Sequence, residues 1–243
     1  MIVNSTQTGW EVIYQSAHAL LAAKIAAHWR LDQRPTRWIE TLVALAQHDD
    51  ESRDWSGRRH LTDSGTPLDF TLSKAPSLEQ PMLVAQELRH KGQWAALMIS
   101  MHMSFLYEHL RAEGPEFVAF LDEQLAHQKQ WRLALKVSKK EAEAAYVLFQ
   151  WCDRMSLILC HRELPDGGRA LEVSAGPDGT RYDVIFQEDV VTLQPWPFEE
   201  SAFTLSLEYL EVSQLSFKDD LELKTVLNSA PVTTLTWNFK KRS

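Results

Sequence analysis

The sequence is short of cysteine, of positive charge and of long apolar runs, and each shortage excludes something. Its two cysteines, Cys152 and Cys160, are eight residues apart in a stretch of helical periodicity. That spacing separates them by roughly 12 Å along a helix axis, too far for a disulfide. Two unpaired thiols suit a reducing compartment. No basic-plus-apolar leader opens the chain and no apolar run approaches the roughly 18 residues of a membrane span, so the expected localisation is cytoplasmic, with no membrane partner. The net charge of -8 argues against a nucleic-acid polymer as partner, because phosphate-backbone binding needs a basic surface. It leaves room for a small phosphorylated molecule, since a bound cation inverts the local field. No internal repeat and no low-complexity segment is present.

What remains is an ordinary globular composition, 44% hydrophobic and 24% charged over 243 residues. That length suits one large domain or one domain with an appendage. The texture changes near Leu164. Before it, residues 1–3 and 10–14 read as short strands joined by a turn at 6–9. Ser16 is placed to cap a helix running to about Trp29, with His18, Leu21, Ala22 and Ile25 on its apolar stripe. Pro35 fits the first turn of a second helix, which ends in His48-Asp49-Asp50. Residues 51–76 lose periodicity, and a loop of about 25 residues is often functional. Helices resume at 78–90, 94–111 and 115–137, with His102 on the core line of the second. Ser138-Lys139-Lys140-Glu141 matches a capping box and opens a helix to about His161, whose core face carries Asp153.

After Leu164, turn signals separate alternating stretches at 170–173, 182–186, 203–215, 221–227 and 232–239, all read as antiparallel strands. The fold expected is mainly α with an appended antiparallel β-sheet. A helical metal-binding part with an N-terminal hairpin would occupy 1–164. A β wing over 165–243 would pack on it, and the N-terminal strands would join that wing, since two short strands alone are unstable.

The chemistry concentrates where the second helix ends. In mid-helix, adjacent side chains diverge by about 100° and cannot share an ion. At a helix end the backbone can turn His48 and Asp49 toward one point. Asp153 lies on a core-facing line, and an isolated buried carboxylate is too costly to leave alone. It must protonate, pair with a cation such as Arg154, or bind a metal. His18 can be a core histidine donating to a carbonyl or a metal ligand. His102 can be a packed core residue, a polar neighbour or the start of a second metal position. The order His, His-Asp, late Asp favours a metal.

That order resembles the HD-domain superfamily of metal-dependent helical phosphohydrolases. The stretches Gln15-Ser16-Ala17-His18, His48-Asp49-Asp50, Ser100-Met101-His102 and Cys152-Asp153-Arg154-Met155-Ser156-Leu157 look closest to a bacterial branch of it without assigned function. The resemblance spans roughly residues 15–161, and the strands fall outside it. It implies an HD-like helical core holding one or two divalent ions (Fe, Mn, Ni, Zn or Mg) on His18, His48, Asp49 and Asp153, with His102 available to a second. It implies hydrolysis of a small phosphate ester or nucleotide by a metal-activated water, with Asp49 or Asp50 as general base. Several HD hydrolases place a lysine one turn after the doublet. Here Asp50, Glu51 and Asp54 stand there instead, so contacts to a phosphate would fall to Arg53, Arg58 or Arg59.

Two other readings stay open. HD-like folds also host di-iron oxygenases, for which His102 would complete a binuclear site. A non-enzymatic ligand sensor, with strands forming a homodimer interface, is the third.

Overall fold

The computed structural model describes residues 1–49, 59–72, 78, 81, 82, 84, 87, 90 and 92–242. Its strands are β1 (Ile2–Ser5), β2 (Trp10–Ile13), β3 (Ala170–Ala175), β4 (Arg181–Gln187), β5 (Val190–Gln194), β6 (Ala202–Val212) and β7 (Val232–Lys240). Its longer helices are α1 (Gln15–Ala27), α2 (Trp38–Gln47), α3 (Gln93–Tyr107), α4 (Pro115–Leu135), α5 (Lys139–Cys160) and α6 (Asp220–Ser229).

All seven strands form one sheet in the order β1-β2-β6-β7-β5-β4-β3. The N-terminal hairpin sets Ile2 opposite Ile13, and β2 continues onto β6 with Trp10 opposite Val212. Two four-residue strands gain their permanence from that third partner. Gly9 is needed at the join, because a Cβ there would lie 1.9 Å from the Val212 carbonyl oxygen. The other pairs are antiparallel too, except β5 with β7, which run parallel.

This overturns the expected fold class. The chain is α/β, 49% helical and 23% strand with a curled mixed sheet, not a mainly α, HD-like core carrying an appended antiparallel sheet. The reason lies in what the strands bury. Ile2, Ile13, Leu205, Leu207 and Trp237 share one apolar cluster with Leu21 and Ile25 of α1 and Trp151 of α5. The sheet therefore forms a wall of the core. At 0.8 kcal/mol per buried methylene, or about 1.5–3 kcal/mol per large side chain, neither helices nor strands could be stripped from the other cheaply.

α1 and α5 rest on that wall. α1 is buried on almost every side, with Ala19, Ala22, Ala23 and Ala26 allowing close approach and Lys24 Nζ donating to the Ser206 carbonyl at 2.9 Å. α1 starts at Gln15, one residue before the expected Ser16 cap; Tyr14 stands at its N-cap with no side-chain bond. The capping box at Ser138 forms as expected, with Glu141 N–H donating to Ser138 Oγ at 3.1 Å and Ser138 N–H to Glu141 Oε2 at 2.9 Å. α2 and α3 pack beyond α1, and α4 packs on α3. The α3–α4 seam is polar inside: Ser100 Oγ donates to Gln124 Oε1, and Gln128 Nε2 donates to Ser100 and Ser104.

Two stretches differ from expectation. Residues 221–227, read as a strand, belong to α6. Asp219 caps it through Glu222 N–H, and Leu223 and Leu227, one turn apart, bury together while Leu221 stays exposed. They cover the opposite face of the sheet, against Val12 and Val212. Strand β5 was not anticipated. It follows a tight reversal at Glu188 and Asp189, both at positive φ, and owes its place to β4 and β7. Both cysteines are buried in α5 and free. Among the described residues, no helix is long and apolar enough to cross a membrane.

Candidate metal centre

Four helices deliver five ligand-type side chains to one place. His18 comes from α1, His102 from α3 and Asp153 from α5. His48 is the C-cap of α2 and Asp49 follows it, so the chain turns as the doublet begins. His18, His48 and Asp49 offer ligand atoms that all lie within 4.8 Å of one another, and so do His48, His102 and Asp153. The three histidines are buried. The described residues therefore include His/Asp clusters that could hold a metal ion.

The hydrogen bonds settle which nitrogen of two histidines faces inward. His48 Nδ1 lies 2.7 Å from the Leu45 carbonyl, which only accepts, so Nδ1 carries the proton. Ser156 Oγ donates to the Asp153 carbonyl at 2.7 Å and so accepts from His18 Nδ1 at 2.9 Å. That leaves both Nε2 lone pairs pointing at carboxylates. His18 Nε2 is 2.6 Å from Asp49 Oδ2, and His48 Nε2 is 3.0 Å from Asp153 Oδ1. Two acceptors at such distances repel unless a cation lies between them. The cation can be a proton on the imidazole or a metal. Two ligand atoms each about 2.1 Å from one ion lie roughly 3.0–3.4 Å apart, so the 3.0 Å spacing of His48 and Asp153 suits an ion, while the 2.6 Å spacing of His18 and Asp49 is that of a shared proton. His102 Nε2 stands 4.0 Å from Asp153 Oδ2, with Nδ1 3.3 Å from Tyr146 Oη.

The electrostatics agree. Burial pushes the His48 pKa down, but Asp49 and Asp153 outweigh it and raise it to about 9. Burial likewise opposes the Asp49 anion, yet His48 and His18 hold its pKa well below the usual carboxylate range. Asp153 is lowered against the same burial, by His48 first. His102, which burial dominates, falls to about 4 and is neutral at pH 7. In the metal-free chain His48 thus carries a positive charge between two carboxylates. That charge balance is one a bound cation could also satisfy.

Asp49 and Asp153 open onto a cavity of about 210 Å³, together with His48 and His102. Its remaining walls are largely apolar, and no lysine or arginine lines it among the described residues.

Of the residues singled out in the sequence, His18, His48, Asp49, His102 and Asp153 are brought together. Asp50, Arg53 and Arg58 lie outside the described residues, as do residues 51–58 and 73–76 of the 51–76 loop. Arg59 is not brought to the site. It pairs with Asp63, donates to the Leu61 carbonyl at 2.8 Å, and borders a separate open cleft against Phe217 and Asp219. Sequence reasoning missed Ser156 and the Leu45 carbonyl as the groups that orient the imidazoles. Ser156 carried a signal: it stands one helical turn beyond Asp153 and so shares its face.

Residues 1–214 match the model of a family described as "Protein of unknown function (DUF3891)", a span that includes every residue of the cluster. No curated protein and no solved structure matches the chain.

Proposed function

The chain belongs to this DUF3891 family, and we propose that it is a metal-dependent hydrolase acting on a small phosphate ester. The observation that carries the reading is the pair of imidazole lone pairs aimed at carboxylates, His18 to Asp49 and His48 to Asp153. The order of these residues along the chain, resembling that of HD phosphohydrolases, supports it as well.

His18, His48, Asp49 and Asp153 would hold a first divalent ion, and His102 with Asp153 Oδ2 would begin a second position. Bound there, a divalent ion supplies Lewis acidity and lowers the pKa of a coordinated water. The protein's share is orientation and charge. Leu45 and Ser156 hold two imidazoles with Nε2 inward, as partners behind a ligand do. Asp49 engages His18 through Oδ2, which leaves its other oxygen to accept the proton of an attacking water.

Charge ties the substrate to the ion count. Three neutral imidazoles and two carboxylates carry two negative charges. A first divalent ion neutralises them, and a second leaves two positive charges, which suit a phosphate dianion. Two ions per chain are the stoichiometry the phosphate reading needs.

Elemental analysis of protein purified without chelator tests this, followed by hydrolysis of aryl phosphates. We expect two divalent metal ions per chain and their loss in His48→Ala. Two irons with a visible absorption band would favour the oxygenase reading. No metal, with His48→Ala unchanged in stability, would sink both.

A further inference from the structure

The cavity above the cluster has a polar floor and apolar walls. His48, Asp49, His102 and Asp153 form the floor, and Phe70, Ile99, Met103, Leu106 and Leu157 rise around it. Three elements carry those walls: a short 3-10 turn at Phe70–Leu72, α3 and α5. Ile99 and Met103 share a face of α3 with His102, so one helix supplies both floor and wall.

Size restricts the occupant further. Pockets for drug-sized ligands run to about 300–1,000 Å³, whereas about 150 Å³ already accepts a benzene ring. At about 210 Å³ the cavity has room for one ring and a small head group. A nucleotide would need more volume, and among the described residues only Gln15 and Tyr107 beside the His/Asp floor would offer its ribose hydroxyls a polar side chain. Unpaired polar groups at such a surface cost more than an apolar body gains.

Resting on the hydrolase reading, we infer that the site takes a compact substrate with an apolar body, of aryl or branched-alkyl size, whose one polar head meets the His/Asp floor. The substrate is then a small monoester and not a nucleotide or sugar phosphate. The walls select by exclusion: a polar body loses its water and gains few partners among the described residues.

Calorimetric binding to protein purified without chelator tests this, with phenylphosphonate, methylphosphonate and AMP as probes. Phenylphosphonate should bind at least about ten-fold more tightly than methylphosphonate, the scale of a well-filled apolar pocket. AMP should not compete. Leu106→Trp, at a half-exposed position on the wall, should weaken phenylphosphonate by at least about ten-fold, with metal content unchanged. If AMP or methylphosphonate binds as tightly, or Leu106→Trp changes nothing, the assignment is overturned. Benzyl alcohol separates the two layers of the argument. If it binds with the same sensitivity to Leu106→Trp while the phosphonates do not, the apolar cavity stands and the phosphate reading falls. If none of the probes binds, the cavity assignment falls.

Discussion

His18 on α1 and Ser156 on α5 meet at 2.9 Å across 138 residues of chain. The serine spends its own proton on the Asp153 carbonyl one turn back, so it can only accept from His18. That single donor–acceptor choice turns the imidazole's free lone pair toward Asp49. A hydroxyl with no ligand role thereby decides which atom of His18 is available to a cation.

Ser156→Ala should weaken metal binding by about 10–100-fold, as loss of a partner behind a ligand usually does. The substitution removes one oxygen from a buried helix face and should leave the fold intact. Competition with a chelator of known affinity measures it. An unchanged affinity would show that His18 needs no such help.

His48→Ala should destabilise the metal-free chain by about 3–5 kcal/mol at neutral pH, because it strands two buried carboxylates without their counter-charge. Denaturant unfolding in the presence of chelator reads this directly. The variant should also lose its metal, so the wild-type gain in stability on adding metal should vanish.

The metal-free chain should be most stable near pH 6.5. His48 titrates near 9 in the folded chain, above its unfolded value, so its contribution is complete below about 6.5 and is lost as pH rises toward 9. His102 titrates near 4, below its unfolded value, so the unfolded chain binds the extra proton and stability falls as pH drops from 6.5 toward 4. Metal binding should release a proton from His48, and affinity should rise with pH until about 9. Thermal melts in chelator, and proton release in weakly buffered titrations, test the two halves.

Gly9→Ala should destabilise by about 1–3 kcal/mol, since its Cβ would press on the Val212 carbonyl and push β2 away from β6. Metal content of the folded fraction should not change, because the ligand-type side chains sit on helices or just past the end of α2, none of them on β2 or β6. A urea midpoint lowered at constant metal stoichiometry is the expected result. A large metal loss would mean that the sheet edge positions α1 more directly than its packing suggests.

Local signals carried far along this chain. The capping box at Ser138 needs only four residues, and it forms. The placement of His18, His102 and Asp153 on apolar helix faces follows from a period of 3.6, and all three are at least mostly buried. Where two periods compete, local reading failed. Residues 221–227 alternate well enough for a strand, but Asp219 caps a helix there and the sheet needs a cover for Val12 and Val212. Arg59 looked like a phosphate contact from its nearness in sequence to the doublet, yet it is drawn to Asp63.

The residue types and their order along the chain pointed to a cluster that could hold a cation, because imidazoles and carboxylates on apolar faces cannot be left there uncompensated. Only the tertiary structure decided how the site is built. It brought Asp153 to His48 across 105 residues and chose the inward nitrogens through Ser156 and Leu45. It also made the sheet part of the core. Strand pairing is non-local: β5 meets β7 in parallel only after α6 has carried the chain back. No periodicity within β5 could have revealed that partner. The same packing set largely apolar walls beside the polar His/Asp floor.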